Sequence, residues 1–275
     1  MSSLPMPRQN RLLAALPDDE YLRLRPHLEP VLLPAEWRLF KAGHRLHCLY
    51  FPVDCVVSLF NTLENGAMME SAVVGNEGML GVNLLLGDSR TPCDALVQTP
   101  GNGFRIAIDM ARREFASGGT LQRLTLQYMQ ARMTQMARVA LCSRYHRVEQ
   151  QLCRWLLGCL DRLCGSEVAM THERLGQVLG VRREGVTNAA GKLQAEGLIE
   201  YRRGRISVLD RAKLEARVCE CHAVMKHAFD SLLPEFAGLD SASDLPHPVD
   251  VRPAGIDYGA PLHRQLAVTG HRPGV

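Results

Sequence analysis

The residues best suited to chemistry are cations and hydrogen-bonding side chains concentrated between Arg174 and Arg217. This segment carries ten lysines and arginines against five acidic residues, a local charge of +5, whereas the whole 275-residue chain carries only +3. A nucleic-acid surface depends on local clusters of positive charge rather than on the net charge of the chain. The segment is therefore the best candidate for a polyanion-binding surface.

Local patterns predict two helices and a hairpin in this segment. Thr171 is a suitable N-cap for a helix that Gly180 ends, and a second helix spans about 182–196 before Gly197. Gly176 offers a small side where the two helices would cross closely. The following strands flank the basic tip Arg202-Arg203-Gly204-Arg205. Together these elements predict a winged helix-turn-helix at about residues 168–208.

The outward face of the second predicted helix carries groups that suit readout of base edges in the major groove. Arginine bonds bidentately to guanine, glutamate accepts from the cytosine amino group, and asparagine pairs with adenine. The predicted base-reading residues are Arg182, Arg183, Glu184, Thr187 and Asn188. The predicted phosphate contacts, which fix register without reading sequence, are Thr171, Lys192, Arg202, Arg203 and Arg205. A winged helix that serves protein contacts is the alternative for the same elements.

The elements before this segment fall into two kinds. From about Leu32 to Ile108, short apolar runs alternate with turn residues, which predicts an antiparallel barrel or sandwich. Segments Arg8–Leu16 and Pro17–Arg25, which come before the strands, have a helical pattern. The predicted strands include Cys48–Phe51, Val56–Phe60, Ser71–Val74 and Ala95–Val97.

A long helix, labelled α4 below, is predicted from Thr120 to about Ser143, after the break at Gly118-Gly119. Its apolar stripe follows a 3-4-3-4 spacing. That spacing fits a helix packed on its own domain, and it fits equally well a coiled-coil seam between two subunits. The residues of the stripe, here called the α4 stripe, are Leu126, Met129, Met133, Met136 and Ala140.

Two sequence stretches resemble the Crp/Fnr family of transcription regulators. The run 175–181, Leu-Gly-Gln-Val-Leu-Gly-Val, followed by Arg183-Glu184 and Val186, is similar to the family's DNA-binding motif. Leu39-Phe40-Lys41-Ala42-Gly43 and the later Leu49-Tyr50-Phe51 resemble the opening strands of its β-roll. The resemblance covers about residues 10–230.

The resemblance implies an α+β fold with a cyclic-nucleotide-binding-like antiparallel β-roll, a long dimerisation helix and a C-terminal winged helix-turn-helix. The corresponding domains are a sensor with N-terminal helices at 1–119, the dimerisation helix at 120–143 and the DNA-binding domain at 144–233. The Gly- and Pro-rich residues 234–275 are predicted to be a flexible tail.

The resemblance also implies a homodimer that binds a pseudo-palindromic operator and contacts RNA polymerase, with the roll as sensor and the α4 stripe as dimer seam. Arg183 and Glu184 fall on the family's base-reading arginine and glutamate, and Thr171 falls on its phosphate-contacting helix cap. Asn188 departs from the arginine that several relatives have there, so the operator is expected to differ at the matching base pair.

The effector of the roll is not identified by its motifs. Cyclic AMP binders of the family use a Gly-Glu-Leu stretch, whereas this chain has Gly81-Val82-Asn83, and Arg90-Thr91 is followed by Pro92 rather than alanine. Cyclic AMP is therefore not the expected ligand. Cys55 also stands where relatives usually have a turn glycine, which predicts an altered hairpin.

No metal or iron-sulfur site is predicted. The oxygen-sensing branch of the family uses an N-terminal cysteine cluster, but no cysteine precedes Cys48 here. Cys219-Glu220-Cys221-His222 has metal-ligand spacing, yet on the helix expected there the two thiols would point in different directions. His44 and His47 lack the His-x-His spacing of a cupin site. The cofactor thus stays unknown.

Composition gives the broad class. Hydrophobic residues make up 46% and charged residues 22%, which is ordinary for a globular protein and argues against a disordered or fibrous chain. No apolar run reaches the roughly 18 residues that span a bilayer, so the cytoplasm is the expected location. We predict a regulator rather than an enzyme. The alternatives are a cupin-like β-roll metalloprotein and a cyclic-nucleotide-binding regulatory protein.

Overall fold

A computed structural model describes residues 5–87, 90–163 and 165–232 of the chain. All of these belong to one compact unit, residues 1–235. A second unit, residues 236–275, lies outside the described residues, and so does the predicted tail at 234–275. No helix in the described part of the chain is both long and apolar enough to cross a membrane.

Short helices precede the strands, as the sequence predicts. Asn10 caps the first of them because its side-chain oxygen accepts hydrogen bonds from the backbone N–H groups of Leu12 and Leu13. The helices are α1 (Arg11–Ala14) and α2 (Asp18–Leu24), with 3-10 turns at Pro7–Gln9 and Arg25–His27. Leu12, Leu13 and Leu24 are buried, which attaches these helices to the roll.

The roll consists of two antiparallel sheets, which confirms the predicted class. One sheet has the order β1-β7-β3 and the other has the order β2-β6-β4-β5. A 3-10 turn at Val82–Leu86 lies between β5 and β6. The strands are β1 (Glu29–Leu33), β2 (Arg38–Phe40), β3 (Cys48–Pro52), β4 (Val56–Thr62), β5 (Met68–Val74), β6 (Asp94–Thr99) and β7 (Gly101–Ala107).

Strand β4 is buried on both faces from Val56 to Phe60, unlike a strand at a solvent surface. Val57 and Leu59 belong to the core of the roll, whereas Val56 and Phe60 belong to a second hydrophobic core, formed mainly by the C-terminal helices. Successive side chains of a strand point to opposite faces. The continuous apolar run of β4 therefore results from a sheet that is packed between two hydrophobic cores.

The roll continues into α3 (Ile108–Ala116) and the long helix α4 (Thr120–Tyr145), which extends two residues beyond its predicted end. One face of α4 packs on the roll, where the Tyr128 hydroxyl donates to the Met79 carbonyl oxygen at 3.0 Å. Gly78 is required at this contact, because a Cβ there would lie 2.4 Å from the Tyr128 hydroxyl oxygen.

The C-terminal half of the unit contains helices around a small third sheet of order β8-β10-β9. Its core includes Trp155, Leu175, Val186, Leu193 and Ile206, all buried. The last helix returns to the roll, where Phe229 joins its core. The elements are α5 (Val148–Leu160), β8 (Glu167–Ala169), α6 (His172–Leu179), α7 (Arg183–Ala195), β9 (Ile199–Arg202), β10 (Arg205–Val208), α8 (Arg211–Arg217) and α9 (Cys221–Asp230).

Candidate nucleic-acid interface

Helix α6 begins and ends where the sequence predicts. The Thr171 hydroxyl oxygen accepts a hydrogen bond from the backbone N–H of Arg174 at 3.2 Å, which confirms Thr171 as the N-cap. Gly180 ends the helix in the left-handed conformation, with φ at 67°. Helix α6 is thus fixed at both ends.

The crossing of α6 and α7 requires the glycine that the sequence places there. A Cβ at Gly176 would lie 2.9 Å from the Val181 carbonyl oxygen, so a larger residue would force the turn apart. The buried residues of α7, Val186, Ala189, Ala190 and Leu193, hold it against this core. The two helices therefore have a fixed relative position.

The opposite face of α7 is exposed and carries most of the predicted base-reading groups. Arg182 is the residue before the first helical residue, and the side chains of Arg183, Glu184 and Asn188 are exposed in the first turns. The helix N-terminus also favours nearby negative charge, such as phosphate. This end of α7 can thus meet both base edges and backbone phosphates.

Thr187 is placed differently from the other predicted base-reading residues. Its hydroxyl donates to the Arg183 carbonyl oxygen at 3.0 Å and lies 3.0 Å from Nδ1 of His172. The His172 ring in turn stacks on Tyr201 of the hairpin, with ring centroids 4.1 Å apart. Thr187 and His172 therefore connect α6, α7 and the wing, a role that sequence reasoning missed for His172.

Burial lowers the pKa of His172 below its ordinary value, and the positive charge of Arg183 lowers it further. The imidazole is therefore neutral at neutral pH, which suits its stacked position. His172 follows the Thr171 cap directly, but no sequence pattern indicated its aromatic partner.

The basic hairpin predicted as a wing is present. Arg202 pairs with Arg205 across a two-residue turn, Arg203-Gly204, in which φ is 48° at Arg203 and 75° at Gly204. Positive φ at both central residues is the pattern of a type I′ turn, for which Asn-Gly is the preferred sequence. An arginine in this conformation is uncommon, so its charge at the hairpin tip is a candidate functional feature.

The predicted phosphate contacts differ in their surroundings. Lys192 forms an ion pair with Glu149, Arg202 with Glu200 at 3.3 Å, and Arg205 with Glu167. These pairs are largely exposed, and exposed pairs contribute little to stability. Their cations can consequently exchange partners with phosphate at little cost. Arg203 projects from the turn and forms no ion pair among the described residues.

Two buried polar contacts join helix α5 and the turn after it to the roll. Nε of Arg162 donates to Oε1 of Glu77 at 2.8 Å, with both side chains almost completely buried. The indole N–H of Trp155 donates to the Glu70 carboxyl at 3.3 Å. Burial raises the pKa of Glu70 to about 7. The packing of α5 and the turn after it on the roll therefore depends on charge as well as on apolar contacts.

A half-open cavity of about 230 Å³ lies between the roll and α4. Val82 and Asn83, from the stretch compared above with the cyclic AMP motif, line it, and Arg132 contributes a positive charge. The rest of the lining is mainly apolar. It comprises Phe40, Leu59, Asn61, Ser71, Met79, Leu80, Gly81, Pro92, Cys93, Met129, Met133 and Met136.

The α4 stripe lies on the face of α4 that its own domain leaves exposed. Leu126, Met133 and Met136 are 51%, 64% and 46% exposed, although all are large and apolar. The buried face of α4 is instead formed by residues such as Leu124, Tyr128 and Ala131. Packing within the domain therefore does not account for the stripe.

The structure corrects the expectation for Cys219 and Cys221. The segment was predicted to be one helix on which the thiols diverge, but Cys219 precedes α9 and only Cys221 lies within it. Together with Cys142 of α4 and His146, the residue that follows α4, they form a cluster whose ligand atoms all lie within 4.8 Å of one another. It is the only such cluster of three or more His, Cys, Asp or Glu found among the described residues.

The other cysteine and histidine expectations concern exposed or isolated groups. His44 and His47 are both exposed, and neither belongs to the cluster around Cys142. Cys55 is buried, its thiol donates to the Asn102 carbonyl oxygen at 3.5 Å, and burial raises its pKa to about 12. These groups give no support to a cupin-type metal site.

Residues 150–217 match the family model of the Crp-like helix-turn-helix domain. This segment contains most of α5, the two crossing helices, the wing and α8. No curated protein sequence matches the chain.

The fold is similar to solved structures of Crp/Fnr regulators. A regulator of this family from Eubacterium rectale is 15% identical, with a TM-score of 0.59 and 77% of this chain and 97% of that chain covered. FixK2 from Bradyrhizobium japonicum is 13% identical, with a TM-score of 0.58 and coverage of 70% and 98%. CLP from Xanthomonas campestris, described as a c-di-GMP-responsive global regulator, is 16% identical, with a TM-score of 0.56 and coverage of 70% and 100%.

Residues 150–217 thus form a Crp-like helix-turn-helix domain, and the fold of the chain is that of Crp/Fnr transcription regulators. The resemblance predicted from the motifs at Leu39–Gly43 and 175–181 is therefore confirmed.

Proposed function

We propose that the chain acts as a homodimer that reads a two-fold-symmetric DNA site through α7 of each subunit. The observation that supports this most directly is the first part of α7, where Arg183, Glu184 and Asn188 are exposed while the buried face fixes the helix on α6. Arg182 precedes these groups, and Thr187 lies between Glu184 and Asn188. Because Thr187 is already hydrogen-bonded within the domain, its contribution is smaller.

Phosphate contacts are assigned to Thr171, Lys192, Arg202, Arg203 and Arg205, which neutralise the backbone without reading sequence. The α4 stripe supplies the dimer seam, since a stripe of large exposed apolar side chains at heptad spacing is typical of a coiled-coil interface. Contact with RNA polymerase follows from the family alone. A cytoplasmic location stays a prediction.

The roll is proposed to be the sensor, with an effector that is not cyclic AMP. Val82 lacks the carboxylate that a ribose hydroxyl needs, and the cavity is mainly apolar apart from Arg132 and a few polar groups. Met129, Met133 and Met136 belong both to the cavity lining and to the α4 stripe. A ligand there would touch the proposed seam directly, which offers a route from ligand to dimer geometry.

The test is selection of bound fragments from random DNA by the purified protein. We expect enrichment of a two-fold-symmetric sequence with half-sites about one helical turn apart. Arg183→Ala is expected to cost about 1 to 3 kcal/mol of binding on that sequence and to relax specificity at one base pair.

Lys226→Ala is the matched control, because it also removes one positive charge but lies on α9, paired with Asp230. It should leave the selected sequence and the affinity unchanged. Recovery of no preferred sequence, or equal losses in Arg183→Ala and Lys226→Ala, would contradict the proposed reading role.

A further inference from the structure

Four potential metal ligands meet where α4 ends and where α8 is followed by α9. Cys142 and His146 belong to the end of α4, and Cys219 and Cys221 belong to the junction of α8 and α9. The Sγ atoms of Cys142 and Cys219 are 3.6 Å apart. The Sγ atom of Cys221 lies 3.7 Å from Nδ1 of His146. The proposed DNA-reading function uses none of these side chains.

The local backbone explains why the four groups converge. Cys142 and His146 are four residues apart, so they share one side of α4 at its last turn. On the other segment, Val218 is extended, with φ at −73° and ψ at 156°, and the chain turns at Glu220 before α9 begins. This turn directs both thiols toward α4, which the continuous helix expected from the sequence would not do.

The distances fit one tetrahedral metal ion. With metal–sulfur bonds of about 2.3 Å and metal–nitrogen bonds of about 2.0 to 2.1 Å, tetrahedral ligand atoms lie about 3.8 Å apart for two sulfurs and about 3.6 Å for sulfur and nitrogen. The measured separations of 3.6 and 3.7 Å have this size. Small side-chain adjustments would bring the remaining pairs, all within 4.8 Å, to the same distances.

The histidine is oriented for coordination by a neighbouring carboxylate. Nε2 of His146 lies 3.3 Å from Oε1 of Glu220, whereas Nδ1 is the ring nitrogen near Cys221. A proton on Nε2 shared with this carboxylate leaves the lone pair of Nδ1 facing Cys221. A carboxylate behind a ligating imidazole fixes its tautomer and orientation in this way in many metal sites.

The three thiols of the cluster are closed to solvent, and the His146 side chain is 19% exposed. Cys142 is 0%, Cys219 4% and Cys221 1% exposed, and these three thiols form a separate small buried cluster of their own. Four protein ligands in a closed setting are typical of structural rather than catalytic sites, which keep an open position. Thiolate-rich ligand sets favour soft or borderline ions over Mg²⁺ or Ca²⁺.

We propose that Cys142, His146, Cys219 and Cys221 bind one Zn²⁺ ion that joins the end of α4 to the α8–α9 junction. Binding deprotonates the three thiols, and the released protons go to solvent. The ligand pairs lie immediately before and after the segment that contains α5 to α8. The ion therefore closes the segment from α5 to α8 at its two chain ends. It also fixes the hinge, which is formed by the extended residues His146 and Arg147 between α4 and α5.

Zinc binding is measured on the full-length protein, stripped of metal and kept in a reducing agent that does not chelate. We expect one Zn²⁺ per chain by equilibrium dialysis, and visible absorption bands of tetrahedral thiolate-bound cobalt when Co²⁺ replaces it. Cys142→Ser, Cys219→Ser and Cys221→Ser should each bind Zn²⁺ more than about 100-fold more weakly. Cys48→Ser, a thiol outside the cluster, is the matched control and should bind like the wild type.

Glu220→Gln separates coordination from folding, because it keeps all four ligands and changes an exposed side chain. We expect about 10- to 100-fold weaker Zn²⁺ binding with an unchanged circular dichroism spectrum. The proposal is overturned if the wild-type chain takes up no Zn²⁺, if the ligand variants bind it as the wild type does, or if Cys142 and Cys219 are joined by a disulfide in the isolated protein.

The proposed structural role of the ion is tested by limited proteolysis at the hinge. Arg144 and Arg147 are exposed there and offer trypsin cleavage sites. Added Zn²⁺ should slow cleavage after both residues in the wild-type protein and in Cys48→Ser, but not in Cys221→Ser. An equal cleavage rate with and without Zn²⁺ in the wild type would overturn the proposal that the ion joins the end of α4 to the α8–α9 junction. None of these measurements involves DNA, so they stand apart from the proposed reading function.

Discussion

Arg203, at the tip of the wing, has a backbone conformation that arginine rarely adopts. Arg203 has φ at 48°, a conformation that asparagine or glycine adopts with less strain. Arg203→Asn therefore removes the charge while preserving or improving the turn, whereas alanine would also strain the backbone. We expect weaker binding to all DNA sequences alike, and a slope of log affinity against log salt that is smaller by about 1.

Titration of DNA binding at several salt concentrations measures this effect. Arg203→Lys is the control, since it keeps the charge in the same turn and should keep the salt slope. The thermal stability of Arg203→Asn should equal or exceed that of the wild type. A loss confined to one sequence would show that Arg203 reads a base instead.

Glu70 gives the molecule a predictable dependence on pH. Burial raises its pKa in the folded state to about 7 from the ordinary 4.5, so the folded state holds its proton more tightly than the unfolded state. The contribution of protonated Glu70 to the stability of the folded state is fully present below pH 4.5 and is lost as pH rises through 7. The free energy of unfolding should fall by on the order of 3 kcal/mol across this range because of Glu70.

Glu70→Gln should remove that part of the pH dependence, since a neutral amide can still accept the Trp155 hydrogen bond. Urea unfolding from pH 5 to pH 8 compares the two proteins, and their difference isolates Glu70 from other titrating groups. The variant is expected to be the more stable of the two at pH 8. Parallel curves for both proteins would contradict the assignment.

At the scale of elements, the contact between the turn after α5 and the loop after β5 is held by a buried ion pair. Arg162 and Glu77 are 9% and 4% exposed, and Gly75 packs so closely that an added Cβ would lie 2.7 Å from Cβ of Arg162. Glu77→Gln leaves the guanidinium buried without its counter-charge. We expect a loss of about 3 to 5 kcal/mol in the free energy of unfolding.

An exposed pair provides the comparison. Arg8 and Asp18 are 2.6 Å apart with side chains 40% and 85% exposed, so Asp18→Asn should cost less than about 1 kcal/mol. Denaturant unfolding of both variants gives the two losses. Equal losses would mean that the roll and α5 dock through apolar packing alone.

At the scale of the whole molecule, the α4 stripe determines the expected assembly. Met133 is 64% exposed in the single chain, and it would be buried in a seam between two α4 helices. Met133→Glu should therefore convert the dimer to a monomer and, with it, abolish tight binding to a two-fold site. Sedimentation equilibrium measures the first effect.

Gln130→Glu is the control for added charge on the same helix. Gln130 flanks the heptad stripe, at a position where coiled coils commonly accept charged residues. The Gln130→Glu variant should remain dimeric. A wild-type chain that sediments as a monomer at micromolar concentration would refute the seam.

The amino-acid sequence alone determined those features that depend on local chemistry. Thr171, Gly176 and Gly180 set the start, crossing and end of α6, because caps, close approaches and left-handed turns each require particular residue types. Period-two and heptad patterns likewise gave the roll and the α4 stripe. The family motif then followed from residues close together in the chain.

Only the tertiary structure decided the features that join distant segments. The hydrogen bond between Thr187 and His172 and the docking of β4 against α5 involve residues that no local pattern links. Cys142 and Cys219 are 77 positions apart, and their approach depends on α9 returning along α4. Side-chain spacing reports on one element at a time, whereas a cluster of ligands is formed by the packing of several.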